Sequence, residues 1–453
     1  MNANRRNNRT LLALMATLAL FAAVPAAAQD STATSTYAPG ASARAIPLQI
    51  TMEYYRPHDS RGLNIFESPK VQGVDYTGFE LQWGAAFTQQ FQALHHNNTA
   101  DPRIVAGVNQ NQLANIGAGF NNAEANLFMN TQIARGIRVD LTTYLSTRHH
   151  NDTWVKDGYI LIDGSPWEIP ALDNLMKYLT LKVGHFEINY GDMHFRRSDG
   201  GNTMFNPLVG NLIMDAFTTE VGGELYYRQN GFLAMGGATG GEIRGTVTNP
   251  QGRAPSYLGK LGFDRQLNPD LRVRVTGSIY NTAKSLNNTL YSGSRTGSRY
   301  FWVLENTQAS ESGNAWSGDV QPGLGSKVNA MVLNPFIKFH GLELFGNVEQ
   351  AKGRNANETS DRTWNQYAGE GVYRFCKDQF YGAARYNIVD GRFAGFTNDV
   401  KVERVEAGGG WFLTSMLMMK LEYVRQLYRD FPSTDIRNGG RFEGMMLEGV
   451  VSF

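Results

Sequence analysis

From residue 79 onward the chain alternates apolar and polar positions in runs of about ten residues. In the first run Phe79, Leu81, Trp83, Ala85, Phe87, Gln89 and Phe91 share one face, while Glu80, Gln82, Gly84, Ala86, Thr88, Gln90 and Gln92 share the other. A period of two belongs to an extended strand with one greasy face and one wet face. This run is longer than the five or six residues usual in soluble sheets and has the reach of a tilted strand that crosses a bilayer. The pattern recurs at Ile137 to Ser146, Leu271 to Tyr280 and Gln379 to Ile388. It closes the chain as well, where Met445, Leu447, Gly449, Val451 and Phe453 fall on one face.

Carried through the whole chain, the alternation predicts strands near 79–93, 118–133, 137–148, 154–163, 178–190, 217–228, 231–241, 257–265, 270–281, 328–340, 341–352, 365–376, 379–389, 401–413, 416–428 and 442–453. Their connections sort by length. Ala134-Arg135-Gly136, Gln229-Asn230, 266–269, His340-Gly341, Lys377-Asp378 and Thr414-Ser415 are tight, and between them lie the long segments 94–117, 191–216, 242–256, 282–327, 353–364, 390–400 and 429–441. Short turns on one side and long loops on the other mark a barrel set across an outer membrane, with hairpins at the periplasmic rim. Two connections break the rule: 149–153 is short on the long side, and 164–177, with Pro166 and Pro170 and room for a short helix, is long on the short side. The fold predicted is an all-β transmembrane antiparallel β-barrel of about 16 strands. Eighteen is the alternative if the alternating Ile46, Leu48, Ile50, Met52 and Tyr54 add a strand.

Composition narrows the classes. Mean hydropathy is −0.35, and after residue 30 no run approaches the eighteen or so apolar residues of a membrane helix. Cys376 is the single cysteine, so the chain makes no internal disulfide and no cysteine-based metal or redox centre. Arg5, Arg6 and Arg9, the apolar stretch Leu11 to Val24 and Ala26-Ala27-Ala28 have the order of a secretory signal cleaved after Ala28. The domain reading is therefore a signal peptide at 1–28, a flexible periplasmic leader at 29–78 and a barrel from 79 to 453. Removing three arginines and no acid takes the formal charge of +1 to −2, which gives no electrostatic case for nucleic acid.

One face of the strands carries charges of both signs: Glu80, Glu124, Asp140, Glu220, Glu224, Asp264, Glu343, Glu349, Glu370, Glu406, Glu422 and Glu448 with Arg138, Lys182, Lys260, Arg272, Arg274, Lys338, Arg374, Arg385, Arg404 and Lys420. Unpaired ions in a dry core cost several kcal/mol each, so this face is expected to line a wet lumen. Sixteen strands enclose enough space for an aqueous channel. Tyr54, Trp154, Tyr178, Tyr227, Trp364 and Trp411, near strand ends, are expected to form interfacial girdles.

Two segments carry a resemblance. Gly409-Gly410-Trp411-Phe412-Leu413-Thr414-Ser415, followed by Lys420-Leu421-Glu422-Tyr423, is similar to the penultimate hairpin of the phosphate-selective porin O and P family, and Val183-Gly184-His185-Phe186 resembles that family's Val-Gly-Arg-Phe element. The chain departs from the family at His185 and at Thr414-Ser415, and its inner wall is about as acidic as it is basic. The resemblance implies a Gram-negative outer-membrane porin passing small hydrophilic solutes or ions, with anions such as phosphate among them. It implies a setting of outer-membrane lipid and lipopolysaccharide, recognition of the final strand and Phe453 by the barrel assembly machinery, and a homotrimer. It also gives the third outward loop, 191–216, the role of a constriction folded into the pore. His194, Arg196, Arg197 and Asp199 of that loop, with Arg272, Arg274 and Arg385 of the wall, are then the candidate solute-contacting residues, since arginine matches two oxyanion oxygens at once.

Other constellations are weaker. His95-His96 and His149-His150 lack carboxylate or cysteine partners at ligand spacing, so no metal site is assigned. No Gly-x-Ser-x-Gly is present, and Gly236 to Gly241 lies in a strand and turn, not ahead of a phosphate-cradling helix, so no cofactor is assigned. Two alternative functions stand beside the channel. One is a barrel lipase or protease using His149 or His150 with Asp152; the other is a surface-binding barrel using loop 282–327 with Tyr300-Phe301-Trp302.

Overall fold

The computed structural model describes residues 51–453 except 69, 71–73, 148–152, 168, 200–202, 242–246, 248, 293–299 and 315. The signal peptide, residues 46–50 and the candidate dyad His149, His150 and Asp152 lie outside the described residues.

Sixteen antiparallel strands close on themselves: β1 (Glu80–Asn97), β2 (Glu124–Ala134), β3 (Ile137–Ser146), β4 (Thr153–Ile162), β5 (Leu179–Glu187), β6 (Thr219–Gln229), β7 (Phe232–Thr239), β8 (Ser256–Gln266), β9 (Leu271–Thr282), β10 (Lys327–Phe339), β11 (Leu342–Arg354), β12 (Arg362–Phe375), β13 (Phe380–Gly391), β14 (Val400–Phe412), β15 (Leu417–Arg429) and β16 (Arg441–Ser452). Each strand pairs with its neighbours in sequence. The seam is β1 against β16, in register from Ala86 opposite Ser452 to Asn97 opposite Arg441. Closure leaves no strand edge unpaired, which is what a lipid environment demands of a sheet. Every predicted strand is present, with ends shifted by a few residues. The start of the second segment is the largest departure, since only Gly119–Phe120 pairs there before β2 begins at Glu124.

Alternation does what the sequence pattern requires. Leu81, Trp83, Phe87, Leu261, Ile279, Leu421, Tyr423, Met445 and Leu447 point outward and are exposed, and their neighbours point inward and are buried. The short hairpins are tight for local reasons. Asn230 and Gly231 both take positive φ, 52° and 87°, the mirror-image turn that matches strand twist. Between β4 and β5 the long connection holds the short helix α1 (Pro170–Met176), with proline in its first turn.

Three expectations are corrected. The eighteen-strand alternative fails because the sheet closes at sixteen and residues 52–54 form a bend and turn, Tyr54 at φ 52°. Trp364 does not join a girdle: its register on β12 points it inward, where it is fully buried against Phe393 at 4.8 Å. Trp154, Tyr178, Tyr227 and Trp411 are exposed, while Tyr54 lies under the Lys70 ammonium at 4.9 Å. The leader reading also departs from the structure over residues 51–68, which pack inside the barrel around a short helical turn, Ser60–Gly62, capped by Asp59.

At the seam, Gly444 has φ +149°, and a Cβ there would meet the Ala93 carbonyl oxygen at 2.1 Å. The backbone conformation alone costs a side chain about 1–3 kcal/mol, and the contact adds to it. Gly444→Val is expected to weaken closure, read as loss of the compact, fast-migrating form in unheated detergent gels.

Candidate functional site

The lumen is the candidate site, and three stretches of chain enter it: the pre-barrel segment 51–68 and the described residues of the inner loop 188–218 and the outer loop 283–326. Each brings backbone amides and carbonyls into a space lined by charged side chains. In a low-dielectric interior those groups must be paired, and the wall charges supply the partners.

The pre-barrel segment crosses the half of the lumen nearer the short hairpins. Glu53 accepts from Gln132 Nε2 and from the Gly136 amide, both at 2.7 Å, and Arg138 Nη1 donates to the carbonyls of Glu53 and Tyr54 at 2.9 Å. His58 stacks on Phe128 with centroids 3.7 Å apart, and its carbonyl accepts from Ser452 Oγ at 2.7 Å. Asn64 Nδ2 donates to Glu343 at 2.6 Å, and its carbonyl accepts from Arg272 at 2.9 Å. Three residues on, the Glu67 carboxylate meets Arg274 and Lys260. Burial, helped by Arg56, Arg138 and Lys156, pushes the His58 imidazole down to about 3, so it is neutral at any physiological pH.

The inner loop holds four of the sequence candidates; of the other three, Arg274 and Arg385 clamp it from the wall, and Arg272 holds the pre-barrel segment instead. Arg196 donates to Glu370 at 2.8 Å, and Arg385 holds the same carboxylate at 2.9 Å while donating to the Gly210 carbonyl at 2.7 Å. Arg197 forks onto Asp215 at 3.0 and 2.5 Å, and Asp199 pairs with Lys156. Arg272 grips Asp264 at 2.8 and 2.7 Å, and Arg274 grips Asp192 of the loop with two bonds of 2.8 Å. His194 bonds Asn189 at 2.9 Å. The loop backbone is held around the ring: the Val209 and Gly210 amides donate to Glu422, Ile213 to Asn387 and Met214 to Gln366, while Lys420 and Arg404 donate to loop carbonyls. Stripping one partner from such a buried pair costs about 3–5 kcal/mol, so the loop is held firmly.

These contacts correct the wet-lumen expectation. Most of the inward charges are buried in pairs with the inserts or with each other: Lys260 and Lys420 are 1% exposed, and Glu406, Glu422 and Glu448 are 0%. Above the inner loop, Tyr300 of the outer loop donates to Glu406 at 2.9 Å and Glu422 at 2.8 Å, and Tyr291 donates to Glu349 at 2.6 Å.

A void of about 220 Å³ remains beside the inserts, against β2–β6. Arg56, Arg138, Lys156, Lys182 and Arg228 line it, facing Glu67, Asp140, Asp157 and Glu187, with the neutral rings of His58 and His194 between. Among the described residues Arg56 donates to the carbonyls of Gly62 and Phe195, and it lies 4.2 Å over the Phe205 ring. Lys182 sits over Tyr159 and Phe186 at 4.5 and 4.3 Å and donates to the Glu187 carbonyl. Of the seven sequence candidates only His194 lines this void. Sequence reasoning missed Arg56, His58 and Glu67. The signal was available: residues 53–67 carry charges and aromatics, whereas 29–45 are mostly small and polar.

No protein-family profile matches the chain, and no curated protein matches it in sequence. Solved structures do match in fold. An anion-selective porin from Comamonas acidovorans superposes with a TM-score of 0.52 at 12% identity over 83% of this chain and all of its own. Pseudomonas putida OprB gives 0.50 at 12% identity, over 83% of this chain and 94% of its own. OmpT, an outer membrane protein of Vibrio cholerae, gives 0.49 at 11%, over 84% and 99%. The shared property is the closed barrel of outer-membrane porins and channels. The resemblance to the O and P family rests on its two short segments alone.

Glu305 in the outer loop offers a pH readout. Burial, with Asp319 close by and Arg437 and Asn314 opposing, pushes its carboxyl up to about 7 from 4.5. A raised acid binds its proton better in the packed loop than in the free one. Packing is therefore penalised above pH 7 and relieved as pH falls through 7 toward 4.5. Protection factors of the amides at 303–306, taken relative to the intrinsic exchange rate at each pH, are expected to rise on going from about pH 8 to about pH 5, and Glu305→Gln is expected to remove that rise.

Proposed function

We propose that this chain is a channel of the Gram-negative outer membrane for passive diffusion of small hydrophilic solutes and ions, anions such as phosphate among them. One observation carries the reading: a closed sixteen-stranded barrel turns an apolar face outward and a charged face inward on nearly every strand. Such a wall is stable only with lipid outside and a polar interior. A lumen largely filled by inserted chain, with the 220 Å³ void left among charged groups, suits a narrow channel in which fixed charges act at close range between low-dielectric walls.

The void supports a preference for anions. Five cations line it against four carboxylates, and Arg56 and Lys182 make no ion pair among the described residues. Of the Tyr300-Phe301-Trp302 contact offered for the surface-binding alternative, Tyr300 is buried on Glu406 and Glu422 inside the barrel, while Phe301 and Trp302 are half-buried.

Reconstitution in a planar bilayer tests the function. Pure protein is expected to give stepwise conductance, and its absence overturns the reading. A unit charge about 5 Å from a permeating ion in a water-like dielectric is worth about 1 kcal/mol, or roughly fivefold in relative permeability. Arg56→Gln is therefore expected to move the reversal potential in a salt gradient toward cation preference by up to that factor.

A further inference from the structure

The Glu67 carboxylate sits on donors that belong to the wall and the inner loop. Arg274 clasps it through Nη2 at 3.1 Å to Oε1 and Nη1 at 2.8 Å to Oε2. Lys260 Nζ lies 3.1 Å from Oε1, and Asn189 Nδ2 donates to the same oxygen at 3.2 Å. The Lys260 and Arg274 side chains are 0% and 2% exposed. Four donors on one carboxylate, two of them the edge of a guanidinium, form a complete oxyanion receptor.

The receptor is anchored without Glu67. Asp192 holds the other edge of Arg274 and reaches Lys260 at 2.7 Å, Thr276 donates to Asp192 at 2.8 Å, and Asn189 Oδ1 accepts from Lys260 at 2.7 Å. Withdrawing Glu67 leaves Lys260, Arg272 and Arg274 against Asp192 and Asp264, a net charge of +1 with the Nη1 and Nη2 edge of Arg274 turned to the vacated space. The carboxylate itself arrives on a segment that forms no part of the barrel wall, and Glu67 borders the 220 Å³ void. A solute in that void lies next to the same donors.

We propose that the Arg274 edge, with Lys260 and Asn189, is a binding site for small organic carboxylates, and that the chain's own Glu67 occupies it as a tethered competitor. A free carboxylate takes the place of Glu67, and the pre-barrel segment loses an anchor when it does so. This deepens the channel reading by naming carboxylates as a solute class, and rests on it for the route by which the solute arrives. Although burial alone would raise it, Arg274 and Lys260, with the hydrogen bonds of Arg274 and Asn189, hold the Glu67 carboxyl well below the usual carboxylate range, so the occupant is an anion at neutral pH.

The test is chemical rescue in the full chain, with sodium acetate as the probe and sodium chloride at equal ionic strength as the control. Thermal unfolding in detergent is followed by circular dichroism, a readout that needs no conduction. Glu67→Gln is expected to melt below the native chain. Acetate should recover a shift on the order of 1–2 °C that grows with the logarithm of its concentration, while the native chain stays unchanged. Lys260→Gln added to Glu67→Gln is expected to abolish the acetate response. In a bilayer, acetate should lower the conductance of Glu67→Gln more than that of the native channel. Acetate acting no better than chloride on the melting of Glu67→Gln overturns the site. Absence of conductance from every variant overturns the channel reading and leaves the melting result to decide the site by itself.

Discussion

Charge compensation inside a closed barrel is the constraint on which the rest of this structure depends. Alternation along sixteen strands places a full ring of Glu, Asp, Lys and Arg inside a cylinder whose outside is apolar. Had the interior been open water, hydration would have satisfied them. Instead three stretches of chain enter, exclude most of the solvent and take over the role of hydration shell. Arg385, Lys420 and Arg404 donate to carbonyls of the inner loop, and Glu422 accepts from its amides. Wall and inner loop therefore satisfy one another: apart from the turn at Met193–Phe195 the described residues of the loop have no regular secondary structure to satisfy their backbone, and most of the wall ions are buried.

Much of the barrel was legible because a period of two leaves little freedom. A strand that shifts by one residue turns its whole apolar face inward, so lipid outside and ions inside specify register from end to end. The sorted loop lengths gave the direction of each hairpin. Trp364 shows where the reasoning lost its hold. An aromatic near a strand end suggests an interface, but residue parity on β12 points it into the lumen, where Phe393 of a neighbouring loop covers it.

The site was less legible, because periodicity describes walls and not contents. The expectation that 191–216 enters the lumen agrees with the contacts of Asp192, Arg196 and Arg197, yet those residues are committed to Arg274, Glu370 and Asp215. Partners 18, 82 and 174 residues away in sequence decide whether an arginine contacts solute or holds the loop, and the alternating pattern carries no trace of them. Residues 51–68 were harder still. With no alternation beyond Tyr54 they read as leader, although Glu53, Arg56, Asp59 and Glu67 among Tyr55 and Phe66 are unlike the small polar run ahead of them. Charged and aromatic residues together in a segment next to a barrel mark chain that has something to bind.

In the proposed channel, the inserted chain and not the barrel wall sets the width of the passage. Single-channel conductance of the chain lacking residues 51–68, compared with the intact chain in the same bilayer and salt, tests it most directly. The segment touches β2, β3, β9, β11 and β16 through side chains and carbonyls without joining the sheet, so the barrel closes without it. The account predicts a conductance several times larger in the shortened chain, roughly in proportion to the lumen section released. Equal conductance in the two chains, with both barrels folded, would contradict it.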